Sequence, residues 1–270
     1  MATPPGLDRT EIERLRAELA GAEPEEILAR AYARFPRVAI VASFQVESSV
    51  LIDMACRLRD QVEVITLDTG RLPPETHEVI DAFQRRYPVR VRVVAPDPGE
   101  VAEMVGRHGV NLFYRSPELR LRCCEVRKSR PLARALRGCD AWVTGLRRDQ
   151  SPTRAATPVV ALDEGHGGIA KLAPLAAWTS DQVWDYVRRH QVPYHPLHDR
   201  GYPSIGCAPC TRPVQPGEDP RAGRWWWERD QVKECGLHWD HSGRPRRRGA
   251  PGGRPAEAGG GRGRGEGVRG

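Results

Sequence analysis

Two rhythms of apolar residues alternate along this chain, and the alternation predicts its architecture. IERLRAELA and PEEILARAYARF, both within the first thirty-five residues, space their apolar side chains at helical intervals. VAIVAS (38–43) has the short apolar run of a buried strand. The following SSVLIDMACRL puts Val50, Leu51, Met54 and Leu58 on one helical face. VEVITL (62–67) predicts a second strand, and LPPETHEVIDAFQRRY a helix with proline near its start. VRVRVVAP alternates as a strand, GEVAEMVGRHG predicts a short helix, and DAWVTGL a fourth strand. Between the last two, CCEVRKSRPLARALRG is predicted helical, with Pro131 interrupting or kinking it. Strands alternating with helices imply the α/β class, with a parallel sheet covered on both faces.

Past Arg147 the pattern loosens. RRDQSPTRAATP is predicted as a loop and VVALDEGHGGIAKLAPL as a β-hairpin with a Gly-rich turn. Thr179 and Gln182 have the spacing of a capping box, opening a helix that turns Val183, Trp184 and Val187 inward. Beyond His190 the chain is rich in Pro, Gly and His, with little periodicity, so this segment needs something to hold it; a metal centre is one candidate. There is no internal repeat.

Charge changes the picture less than its total suggests. The last thirty residues hold eight Arg and two Glu, a net +6, which leaves +1 of the chain's +7 for everything before them. Gly and Arg dominate this stretch, which cannot bury enough apolar surface to offset its ordering entropy; 241–270 therefore reads as a disordered tail. An RNA contact would come through the tail alone, and otherwise nucleic acid is not an expected partner. No stretch has the roughly 20 apolar residues of a membrane span, and the N-terminus has no secretory pattern. A cytoplasmic location is expected, where thiols stay reduced and seven cysteines suggest metal or redox chemistry rather than disulfides.

The first strand leads into SFQVESS, where a helix N-terminus and the Ser43, Ser48 and Ser49 hydroxyls face the place parallel sheets reserve for ligands. It is neither a Walker A loop nor G-x-G-x-x-G, and taken alone it reads as a capped helix after a strand. The cysteines are sharper. Cys123 and Cys124 are adjacent, and Cys207 and Cys210 form a C-x-x-C. Successive side chains diverge, so a vicinal pair suits a tetrahedral zinc site poorly and the spread irons of a [4Fe–4S] cluster better. The bland alternative is four unconnected buried thiols.

Arg120, Arg122, Arg127, Lys128 and Arg130 surround the first pair, and Arg212 follows the second. With Arg147, Arg154, Arg221 and Arg224 they exceed what a dianionic cluster needs, which favours an oxyanion substrate beside it. Cys235, in KECGLH, is either an incidental thiol or a nucleophile whose pKa Lys233 and His238 lower. Cys56 and Cys139 read as small core residues, and His195 and His198 as packing or loop hydrogen-bonding residues rather than ligands.

SFQVESSVL, LDTGR, CCEVRK, TGLRRDQSPTR, LHDRGYPSIGCAPC, GEDPRAGRWWWE and KECGLH, in this order over about residues 38–239, resemble the assimilatory adenylyl-sulfate reductases of the phosphoadenylyl-sulfate reductase family. The resemblance implies a Rossmann-like, adenine-nucleotide α-hydrolase-like domain over 37–240, after N-terminal helices (1–36), with an irregular cluster-bound C-terminal segment. It implies that Cys123, Cys124, Cys207 and Cys210 ligate a [4Fe–4S] cluster and that Cys235 is the catalytic nucleophile. Ser43, Glu47 and Ser48 match the family's nucleotide loop, and Leu67, Thr69 and Gly145 its adenosine-contacting turns. Lys128, Arg154, Arg221, Arg224 and His238 are assigned to the phosphosulfate. The implied substrate is adenosine 5′-phosphosulfate and the implied partner thioredoxin, whose thiolate releases sulfite from a Cys235 S-sulfonate. The Cys235 segment is expected to close over substrate and swing out to thioredoxin. Gln45-Val46 departs from a Ser-Gly-Ala or Ser-Gly-Gly stretch in many relatives, which weakens the phosphate contact expected of that loop.

Three rival readings meet obstacles in the sequence. A 3′-phosphoadenylyl-sulfate reductase usually lacks the four cysteines, though dual use stays open. An iron–sulfur tRNA thiolation enzyme wants an S-G-G-x-D-S loop. A nucleic-acid-binding module is at odds with the near-neutral body. The oligomeric state is left open, a homo-oligomer included.

Overall fold

The computed structural model describes residues 7–228. Two helices, α1 (Arg9–Glu18) and α2 (Pro24–Arg34), lead into strand β1 (Val38–Val41) and helix α3 (Val46–Leu58). Next come β2 (Val62–Leu67), α4 (Pro74–Arg86), β3 (Val89–Val94), α5 (Pro98–His108), α6 (Pro117–Cys124) and α7 (Arg130–Ala135). Strand β4 (Ala141–Val143), the pair β5 (Val160–Asp163) and β6 (Ile169–Leu172), and α8 (Ser180–His190) complete the regular elements. The sheet runs β3-β2-β1-β4-β6-β5, parallel except for the antiparallel edge strand β5.

Local chemistry accounts for much of this. β1 is a continuous apolar run because both of its faces are covered. β3, at the sheet edge, exposes Arg90, Arg92 and Val93 while Val89, Val91 and Val94 are half-buried, and charge on an edge discourages pairing with another chain. Thr179 caps α8 by accepting from the Gln182 N–H (3.2 Å), while the Gln182 side chain accepts from the Thr179 N–H (2.8 Å), as its spacing predicts. Val183 and Val187 point into the core; Trp184 is only half-buried, and Tyr186 takes the remaining inward position. α1 and α2 share the main apolar core with the sheet through Ile12, Leu15, Ile27 and Leu28.

The helix predicted across the vicinal cysteines is interrupted, but not as a simple proline kink. After Cys124 the backbone widens into a π-helical turn, Glu125–Ser129, and α7 restarts with Pro131 in its first turn. Proline cannot donate to, and clashes with, the carbonyl four residues back, so the widened turn falls immediately before it.

Asp53, 2% exposed, accepts from Arg57, Tyr87 and Tyr186 at 2.7–2.8 Å. Burial pushes its carboxyl up, but these donors outweigh burial and the net shift is downward. His195 is fully buried, with Nε2 3.0 Å from Thr76 Oγ1 and Nδ1 accepting from the Leu197 N–H (3.3 Å), as expected of a packing residue. Burial, aided by His198, lowers its pKa to about 4. The unfolded chain therefore binds more protons than the fold between this value and the ordinary one of about 6.5. Stability should be whole above that window and fall by on the order of 3 kcal/mol on crossing it downward. Urea melts across the window check this, and His195→Gln should flatten this part of the pH dependence.

Candidate functional site

At the carboxyl ends of the central strands lies a cavity of about 950 Å³. It opens where the strand order departs from β1 in two directions, toward β2 and toward β4, the usual ligand position in such sheets. Ser43, Glu47 and Ser48 line it from the loop after β1, and Leu67 and Thr69 from the end of β2. Gly145 and Arg154 follow β4, Lys128 comes from the π-helical turn, and Arg221 and Arg224 come from the irregular C-terminal segment. The fold thus brings ten of the sequence-assigned binding residues to one cavity. Cys235 and His238 lie outside the described residues.

The loop after β1 is shaped by unlike means. Phe44 adopts φ +54, an uncommon conformation for a bulky residue, and is held there by complete burial and edge-on packing on Phe83 (5.5 Å). Gln45 stands at the mouth of α3; its Oε1 accepts from the Ile205 N–H (2.7 Å) and its Nε2 donates to Ser43 Oγ (3.2 Å). The bulk that sets Gln45 apart from many relatives thus ties the first-strand loop to the C-terminal segment. Glu47 accepts from Arg147 (3.1 Å) and Gln150 (2.8 Å), joining the β1 and β4 loops. Gly145 lets those loops touch, since a Cβ there would lie 2.9 Å from Glu47 Cβ.

Against this cavity lies a second, much smaller one, walled by Cys123, Cys124, Cys207 and Cys210 with Arg71, Arg120, Arg127 and Lys128. Cys123 and Cys124 end α6, and Cys207 and Cys210 bracket a 3₁₀ turn. No three His, Cys, Asp or Glu side chains among the described residues converge tightly enough to hold a single metal ion. Burial pushes the Cys210 thiol up to about 12, with Cys207 adding to the rise and Lys128 and Arg224 opposing it. Burial likewise raises Cys123, against the pull of Arg127. Thr69 bridges the cavities, its Oγ1 3.3 Å from Cys207 Sγ. Its turn is set by Gly70 at φ +67, whose N–H donates to Asp68 Oδ1 (2.8 Å). Lys128 lines both cavities and is the single residue among those described to do so.

The other cations divide. Arg127 donates to the Thr69 carbonyl (2.7 Å), while Arg122 and Arg130 pair with Glu125, and Arg130 also with Glu100, near the surface. Arg212 pairs with Glu218 (2.9 Å). Arg224 is buried; it donates to Ser204 Oγ and the Ile205 carbonyl (both 3.2 Å) and stacks on Trp225 (4.6 Å). His198 also lines the large cavity, edge-on to Trp184. Cys56 and Cys139 are half-buried against apolar clusters, as expected of core residues. Sequence reasoning passed over Gln45, Trp184 and Gly206 as site residues. GYPSIG and SFQVESS were conspicuous, but nothing local says that the two segments meet.

The sheet and the position of its cavity are those of the adenine-nucleotide α-hydrolase-like fold. Residues 37–213 match the phosphoadenosine phosphosulfate reductase domain. The chain is 49% identical to adenosine 5′-phosphosulfate reductase of Allochromatium vinosum, over 79% of this chain and 83% of that one. It is 47% identical to the enzyme of the same name from Burkholderia cepacia, over 79% and 85% respectively. Among solved structures, phosphoadenylyl-sulfate reductase from Candida auris superposes with a TM-score of 0.67 at 29% identity, over 78% of this chain and all of that one. The chain belongs to the phosphoadenosine phosphosulfate reductase family, among its adenosine 5′-phosphosulfate reductases. It is an oxidoreductase acting on sulfur groups. No helix among the described residues is long and apolar enough to cross a membrane.

Proposed function

We propose that this chain reduces adenosine 5′-phosphosulfate to sulfite and AMP in assimilatory sulfate reduction, in the cytoplasm, with thioredoxin as electron donor. The Cys235 thiolate attacks the sulfate sulfur, the S–O bond to the phosphate breaks, and AMP leaves with the electron pair. A thioredoxin thiolate then attacks Cys235 Sγ and sulfite departs with the electrons of the S–S bond. The second thioredoxin thiol resolves the mixed disulfide, so two thiols are oxidised and sulfur(VI) becomes sulfur(IV). The observation carrying this reading is the meeting, in one cavity, of nucleotide-loop residues from three strands with Lys128, Arg154, Arg221 and Arg224. These cations suit a mixed anhydride and stabilise the phosphate of the leaving AMP.

The donor set suits a [4Fe–4S] cluster by its chemistry: four cysteines wall one small cavity, and Arg71, Arg127 and Lys128 beside them would offset the cluster's negative charge. Cys123, Cys124, Cys207 and Cys210 would hold it. Bound there, it would supply cross-linking of the C-terminal segment to α6 and a fixed charge beside the substrate cavity. The proposed substrate is the one without a 3′-phosphate, which relatives 47–49% identical to this chain carry in their names; rates on both nucleotides from one preparation separate the readings.

The test is anaerobic incubation with ³⁵S-labelled adenylyl sulfate and no reductant. Stable label should appear on wild type and be absent from Cys235→Ser, with turnover lost in the same variant. Label on the serine variant would refute the assignment of the nucleophile. Oxygen-protected protein that is iron-free yet fully active would refute the cluster.

A further inference from the structure

His195 and His198 stand three residues apart in the Pro- and His-rich segment after α8, and the fold treats them differently. Both ring nitrogens of His195 are used, one on Thr76 and one on the Leu197 N–H. Nδ1 and Nε2 of His198 are shut away from water, and neither reaches a hydrogen-bond partner of acceptable geometry among the described residues. Polar atoms left in this way are costly and uncommon, so a partner outside the chain is implied. The ring stands where a ligand could supply one. His198 lines the substrate cavity and packs edge-on against Trp184 (5.4 Å), which lines it too. The residue as a whole is only half-buried, so its exposed surface is carried by its other atoms. A half-turn about Cβ–Cγ exchanges each nitrogen with a ring carbon and needs no backbone movement.

The charges around the ring indicate what kind of group it would meet. Burial lowers the pKa of His198 and favours the neutral imidazole, against Glu47, the Tyr202 backbone and Asp199, which favour the proton. The charges that act on it most are thus carboxylates, not the cations Lys128, Arg154, Arg221 and Arg224 that line the same cavity. A phosphate or sulfate oxygen would be poorly served there. A sugar hydroxyl suits the place, because it both donates and accepts and so fits a neutral imidazole in either tautomer. We propose that His198 is a substrate-binding residue that hydrogen-bonds a ribose hydroxyl of the nucleotide and makes the site selective for a ribonucleotide. This rests on the nucleotide reading of the cavity given above. The sugar would then lie beside the β1 loop that carries Glu47, leaving the cavity's cations to the phosphosulfate.

The test measures, by calorimetry, the Kd of AMP, 2′-deoxy-AMP and 3′-deoxy-AMP for the full-length wild type and for His198→Phe, which keeps a ring against Trp184 and removes both nitrogens. The substitution should weaken AMP about tenfold, the usual scale for stranding one partner of a buried hydrogen bond. Wild type should bind one of the two deoxynucleotides about as weakly as the variant binds AMP, and that deoxynucleotide should bind both proteins equally. Which of the two does so identifies the contacted hydroxyl. His198→Gln, which keeps a donor and an acceptor, should recover part of the loss. If His198→Phe does not fold, His198→Leu is judged by the same comparison. AMP affinity unchanged in the variant, or all three nucleotides weakened by one factor, overturns the contact. Wild type that binds AMP in the expected sugar-dependent way yet takes no ³⁵S label overturns the proposed reaction and leaves the contact standing. Wild type that binds no AMP overturns the nucleotide reading and this contact with it.

Discussion

Lys128→Ala is expected to lower kcat/KM for adenylyl sulfate by about 10²–10³-fold, the usual loss when one preorganised donor to developing charge is removed. Lys128 is the described residue common to the substrate cavity and the cysteine cavity. The π-helical turn puts it there, since the widened backbone changes the direction in which side chains leave the helix after Cys124. As the S–O bond breaks, negative charge grows on the AMP phosphate, and a low-dielectric site magnifies what an ammonium there contributes. Lys128→Arg should recover only part of the loss, because a planar fork does not replace a compact point charge. Steady-state kinetics with iron per chain check the prediction. A fall in iron that matches the fall in rate would make Lys128 a residue of assembly rather than of catalysis.

Gly206→Ala should produce a comparable defect by a different route. A Cβ at 206 would overlap Arg224 Nη2 and lie 2.7 Å from its Cζ. An exposed arginine would simply swing aside. Arg224 is buried, stacked on Trp225 and bonded to Ser204 and the Ile205 carbonyl, so moving it breaks several contacts at once. Its guanidinium would leave its place in the wall of the substrate cavity. A displacement of about 1 Å at a positioning group costs on the order of 10²-fold in kcat/KM. The loss should fall largely on KM if Arg224 holds the anion as proposed, since that contact would be made before as well as during reaction. Thermal melts should fall as well, since overpacking this buried site and breaking its contacts costs on the order of 1–3 kcal/mol. An unchanged KM would show that Arg224 does not hold substrate.

What the chain declares locally and what it declares only once folded divide cleanly at this site. The strand at 62–67, the capping box of Thr179 and Gln182, and the β5–β6 hairpin were legible because each depends on residues two to a few positions apart. The cysteines and the cations beside them were legible as residue types suited to a cluster and an oxyanion. Which cations serve was not. Arg122 and Arg130 stand in the same short stretch as Lys128 but are spent on Glu125 and Glu100. The π-helical turn that separates their directions is a compromise between helix hydrogen bonding and Pro131, and periodicity does not encode it.

The remaining features belong to tertiary structure alone. Glu47 with Arg147, Gln45 with Ile205, and Arg120 with Glu228 lie 100 or more residues apart in sequence. The sequence by itself determined the α/β class, the helix caps and the stock of reactive side chains, because short-range geometry and solvent exclusion act on neighbouring residues. Only the folded sheet decided which loops share a cavity and which charges pair out of water, because those contacts exist only after distant segments have been packed against one another.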